Sequence, residues 1–111
     1  MRIKVQNFND VAVAELQGDL AGEVSKSLED TTSKAIAEGL KGVVIDMSHV
    51  GFIDSLCLEQ LLHLREYCSQ NSCQLKIAGL NETCGKIFQL TRLEKKLDIY
   101  EELAEAVKSF V

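Results

Sequence analysis

A chain of 111 residues with 46% apolar side chains is long enough for one domain around one core, and too short for two ordinary ones. Its net charge of −5 argues against a general nucleic-acid binder or a binder of anionic membrane surface, both of which need a basic face. No apolar run approaches the length of a membrane span, and Met1-Arg2-Ile3-Lys4-Val5 lacks the apolar stretch of a secretory leader, so the chain reads as cytoplasmic, without direct membrane insertion.

Ile3 and Val5 alternate with Lys4 and Gln6, which predicts a half-buried strand, and Asn7-Phe8-Asn9-Asp10 is a turn signal. Val11, Val13 and Leu16 predict a second strand, so the chain opens on a β-hairpin. Gly18-Asp19-Leu20-Ala21-Gly22 breaks that pattern. A helix is predicted from Glu23 to Glu38, with Val24, Leu28, Thr31 and Ala35 on one face and Gly39 as its stop. Val43, Val44 and Ile45 are contiguous and β-branched, which suits a strand covered on both faces. Residues Asp46 to Gly51 read as a polar loop in which Asp46 and Ser48 bond nearby backbone.

Asp54-Ser55 then stands before a helical pattern carried by Leu58, Leu61, Leu62 and Leu64, ending near Ser69 or Gln70. Gln74 to Ala78 predicts a strand, and Asn81 a cap for a short helix carrying Cys84, Ile87, Phe88 and Thr91. Leu97 to Tyr100 predicts a last short strand, and Glu101 to Phe110 a final helix. This order implies an α/β fold: a four- to five-stranded mixed sheet, an antiparallel edge from the hairpin, right-handed crossovers and about four helices. The Gly18-Asp19-Leu20 loop and the loop before Ser55 both leave strand ends on the same side, where functional groups gather in such sheets.

Ser55 admits two readings. It is a helix cap that accepts a backbone N–H, or a surface hydroxyl at the positive end of a helix dipole, where an added anion is tolerated. Asp54 is a first-turn charge or part of an interaction surface. Cys57 is a small packed residue or a low-pKa thiol of a small redox protein. Cys57, Cys68, Cys73 and Cys84 contain no Cys-x-x-Cys pair and no zinc spacing, and read as reduced, mostly buried thiols. His49 and His63 lack a second ligand at metal spacing, and no phosphate-binding glycine loop exists, so no metal or cofactor is expected.

Val44-Ile45-Asp46-Met47-Ser48-His49-Val50-Gly51-Phe52-Ile53-Asp54-Ser55 resembles the signature of STAS domains, in particular the bacterial anti-sigma factor antagonists. The resemblance also takes in Gly18-Asp19-Leu20 and the stretch from Ile87 to Leu93 running into Asp98-Ile99-Tyr100. It covers nearly the whole chain and implies a single STAS domain over residues 1–111 that is not an enzyme. It further implies that Ser55 is the phosphoacceptor of an anti-sigma factor with serine kinase activity. The unphosphorylated form binds that partner, the phosphorylated form releases it, and a phosphatase resets the cycle. The partner-binding residues carried over by position are Asp19, Leu20, Ala21, His49, Gly51, Asp54, Ser55, Leu56, Cys57 and Glu59. Two positions depart from the family pattern: Cys57 stands where a glycine is common, and Ala21 where an aspartate is common. The same resemblance also fits a second role, a constitutive STAS subunit of a lipid transporter or signalling assembly that is not phosphorylated.

Overall fold

The computed structural model describes residues 2–21 and 25–110. The hairpin forms from β1 (Arg2–Phe8) and β2 (Val11–Gln17), with the turn confined to Asn9 and Asp10. β1 therefore runs two residues past the expected stop at Gln6, because Asn7 and Phe8 still pair with Ala12 and Val11. Asn9, at φ 55°, makes the reversal. Then come α1 (Ser25–Ala37), β3 (Gly42–His49), α2 (Ser55–Gln70), β4 (Gln74–Ala78), α3 (Glu82–Leu90), β5 (Asp98–Tyr100) and α4 (Leu103–Lys108). The expected start of the first helix at Glu23 and Val24, and Gly22 before it, lie outside the described residues. The final helix is shorter at both ends than the expected Glu101–Phe110: Glu102 stays extended at the N-cap position, and the helix ends at Lys108.

The sheet order is β1-β2-β3-β4-β5, with the first pair antiparallel and the other three pairs parallel. This is the mixed sheet with an antiparallel edge that the element order implied. One face carries Ala12, Leu16, Val43, Ile45, Met47, Leu75 and Ile77, packed against Leu28, Leu58, Leu61, Leu64 and Phe88 from α1, α2 and α3. The opposite face carries Val11, Val13, Val44 and Ala78, covered by Ala106, Leu103, Val107 and Phe110 at the C-terminal end of the chain. A strand buried on both faces needs apolar residues at consecutive positions, which is why Val43, Val44 and Ile45 have no polar residue between them.

The expected loop at Asp46 is instead strand. Asp46 pairs with Glu15 on one side and Ala78 on the other, and is buried. Pairing with β2 slips there, from Glu15–Asp46 to Gln17–His49, so β3 gains an extra residue in a bulge. The Asp46 carboxylate accepts from both the backbone N–H (3.1 Å) and the hydroxyl (2.8 Å) of Ser48, satisfying the bulged backbone. The loop-forming chemistry read from Asp46 and Ser48 is real, but it is spent on a strand distortion.

Candidate functional site

Beyond the bulge, two chain segments leave β2 and β3 side by side. Gly18 N–H donates to His49 O at 3.1 Å, Leu20 N–H to Phe52 O at 2.8 Å, and Asp54 N–H to Leu20 O at 3.1 Å. Leu20 and Ile53 thereby form a parallel bridge that extends the sheet past both strand ends. Their side chains, 0% and 1% exposed, anchor the bridge in the core. The rim carrying Asp19, Ala21, His49, Gly51 and Phe52 is thus held by backbone hydrogen bonds and two buried anchors. From the α3 side, Asn81 caps its own helix by accepting from Cys84 N–H, and donates through Nδ2 to Val50 O at 2.9 Å. The Asp19 carboxylate lies across Gly51, 3.3 Å from where a Cβ would stand, so a side chain at Gly51 would displace it.

The same backbone bond decides how α2 begins. Asp54, held by Leu20 O, stays extended at φ −89° and ψ 169°, and its Oδ1 accepts from Cys57 N–H at 2.9 Å. Asp54 is therefore the N-cap, and Ser55 is the first helical residue rather than the cap. The helical ladder opens with Leu58 N–H donating to Asp54 O, which leaves the N–H groups of Ser55 and Leu56 outside it. Ser55 is exposed at this positive helix end. Leu56 beside it is 59% exposed, and Glu59 lies one turn on along the exposed surface.

The ten residues drawn from the sequence thus divide by depth. Asp19, Ala21, His49, Gly51, Ser55, Leu56 and Glu59 are exposed, and Asp54 is half-buried. Leu20 and Cys57 are buried and support the surface from beneath. Burial first, then a hydrogen bond and the negative charge of Asp54, push the Cys57 thiol up to about 11. It is therefore not an activated nucleophile, contrary to the low-pKa reading. Burial, and then the Asp19 charge, likewise raise Cys84. His49 Nε2 lies 3.9 Å from Glu15 Oε1 at the edge of the rim. Among the described residues no three His, Cys, Asp or Glu side chains stand together as metal ligands, and no helix is long and apolar enough to cross a membrane.

One surface residue escaped the sequence reading. Phe52 is 46% exposed between the buried Val50 and Ile53. In sequence it looks like another core residue of the strand exit; only the Leu20–Ile53 bridge, which turns Ile53 inward, leaves Phe52 outside. Phe52 and Leu56 give the rim beside Ser55 two large exposed apolar side chains.

These features define a small α/β module with its exposed polar and apolar groups gathered on a rim where two strand exits and one helix mouth meet. The STAS domain family model matches residues 2–106, and the chain belongs to that family. Over 101 residues it is 24% identical to an anti-sigma-B factor antagonist of Staphylococcus epidermidis, covering 91% of this chain and 94% of that one. The crystal structure of an anti-sigma factor antagonist from Mycobacterium paratuberculosis superposes with a TM-score of 0.85 at 22% identity, over 98% of this chain and 92% of the other. A sulfate transporter family protein from Wolinella succinogenes has the same fold, with a TM-score of 0.81, 18% identity, and 92% and 85% coverage.

Proposed function

We propose that this protein is an anti-sigma factor antagonist whose contact surface is the rim around Ser55, and that Ser55 is its phosphorylation switch. The observation that carries this reading is the position of Ser55: exposed, at the first position of α2, beside exposed Phe52 and Leu56. Unmodified, the rim offers a partner apolar area from Phe52 and Leu56, edged by Asp19, His49, Asp54 and Glu59. An anti-sigma factor with serine kinase activity transfers the terminal phosphoryl group of a nucleoside triphosphate to the Ser55 oxygen, which gives up its proton as the nucleoside diphosphate leaves. The phosphate is tolerated locally, because the Ser55 and Leu56 N–H groups and the helix dipole favour an anion there. It is not tolerated in the interface, where it must be desolvated beside Asp54, Asp19 and Glu59. A phosphatase then restores the binding form.

The test is an intact-mass spectrum of the protein from its own cells, with the modified peptide mapped, combined with binding of Ser55 variants to the native anti-sigma factor. Phosphate on Ser55 is expected. Ser55→Ala should keep binding, and Ser55→Asp should weaken it by roughly 30-fold or more, the factor given by about 2 kcal/mol of repulsion and desolvation. An unmodified Ser55 across growth and stress conditions, with tight binding by Ser55→Asp, would overturn the switch and favour a constitutive subunit.

A further inference from the structure

At the far end of α2 from Ser55, the chain closes the helix through a left-handed residue. Ser72 has φ 57°, and Cys73 N–H reaches back to Cys68 O at 2.9 Å, the same carbonyl that accepts from Asn71 N–H. This is the six-to-one hydrogen bond of a Schellman closure, with Cys68 three positions before the helix cap Asn71 and Cys73 two after it. That closure brings the side chains at those two positions into contact, normally as an apolar pair. Here both are cysteines, free and buried in the core. Interaction with the Cys68 thiol holds Cys73 below its ordinary range against the opposing effect of burial; the Gln74 N–H helps. Cys68 is pushed up, by its interaction with Cys73 first and by burial second. Cys73 also lines an open cavity of about 470 Å³ with Lys41, Ser72 and Ser109, which gives a small reagent an approach. Cys57 and Cys84 have neither a thiol partner among the described residues nor a lowered pKa.

We propose that Cys68 and Cys73 are a redox-modification site: a dithiol that a low-molecular-weight disulfide converts into an intramolecular disulfide across the C-terminal end of α2. The Cys73 thiolate attacks one sulfur of the small disulfide, forming a mixed disulfide and expelling one thiolate. Cys68 loses its proton and attacks the Cys73 sulfur, expelling the second thiolate. Two protein thiols are oxidised and one small disulfide is reduced to two thiols. The product ties the last turn of α2 to the first residue before β4.

The test uses oxidised glutathione on the folded full-length protein, followed by alkylation and tryptic mapping. Cys68 and Cys73 fall on one peptide, Glu66–Lys76, with no other cysteine. The expected result is loss of about 2 Da from that peptide and protection of both its thiols, reversed by dithiothreitol, while Cys57 and Cys84 remain alkylated. Cys68→Ser should leave Cys73 carrying one glutathione, since nothing resolves the mixed disulfide. If Glu66–Lys76 keeps two alkylatable thiols in wild type, or if Cys68→Ser shows no glutathione at Cys73, the proposal fails. Phosphorylation of Ser55 enters neither readout.

Discussion

Cys57 and Ser55 stand two positions apart at the mouth of α2, and depth alone separates their chemistry. Ser55 is exposed, whereas Cys57 is 2% exposed beneath it, next to the Asp54 carboxylate. A thiol is neutral when protonated, so burial and a neighbouring anion both favour the protonated form and raise its pKa. In the unfolded chain the Cys57 thiol titrates near 9.0, and in the folded protein near 11. Below pH 9 both states hold the proton and the full stabilisation is present. Between those values the unfolded chain has lost its proton and the folded one has not, so stability falls as pH rises. The loss attributable to this residue approaches roughly 2–3 kcal/mol at the upper end. Thermal melts from pH 8 to 11 should show a smaller drop in Tm for Cys57→Ala than for wild type, because only the variant lacks this proton. An equal drop in both proteins would place the alkaline sensitivity elsewhere.

At the scale of the elements, α2 owes its starting point to a neighbour. Aspartate and serine are comparable caps, so the pair Asp54-Ser55 does not by itself fix which residue begins the helix. The bond from Asp54 N–H to Leu20 O fixes it, and that contact spans thirty-odd residues of sequence that no local pattern reports. Asp54→Ala removes the acceptor for Cys57 N–H and should cost about 1 kcal/mol, lowering Tm by roughly 4–8 °C. Asp54→Asn should retain most of that stability, because an amide oxygen caps as well. The same distinction runs through the rest of the chain. Strand β4, the Asn81 cap and the hairpin were legible because each follows from side chains within a few residues of one another. Asp46 was not, since its turn-forming carboxylate is identical whether it starts a loop or caps a bulge; pairing to β2 and β4 makes the difference. The exposure of Phe52 was not legible for a related reason. Which of several apolar residues faces outward depends on how the two strand exits lock together, and the Leu20–Ile53 bridge carries that information.

Across the whole molecule, the proposed switch requires that charge added at Ser55 change the surface without unmaking the fold. The core on the α1–α3 face extends past the bulge to Leu20, Val50 and Ile53, which hold the rim from beneath, and a second core lies under Phe110. The Phe110 ring occupies the space a Cβ at Gly42 would need, with its centroid 4.2 Å from the Lys76 ammonium, and Gly42 begins β3 at the end of the strand away from the rim. Ser55 contributes to neither core. An aspartate in its place sits in the first turn of a sixteen-residue helix, where the dipole favours it by about 0.3–1 kcal/mol. Repulsion from the adjacent Asp54, screened at an exposed site, opposes this by a similar amount. The two nearly cancel, so Ser55→Asp should melt within about 4 °C of wild type. Its amide exchange in β3 and β4 should be unchanged, while its binding to the anti-sigma factor is lost. Thermal denaturation and hydrogen exchange on the purified variant check this directly. A fall of more than about 10 °C, beyond what a surface substitution gives, would mean that the charge reaches the Leu20–Asp54 bond and releases the partner by loosening the rim. Unchanged stability with lost binding would mean instead that the fold stays fixed and the partner is rejected by desolvation and repulsion alone, the outcome expected of a switch that must be reset many times without refolding.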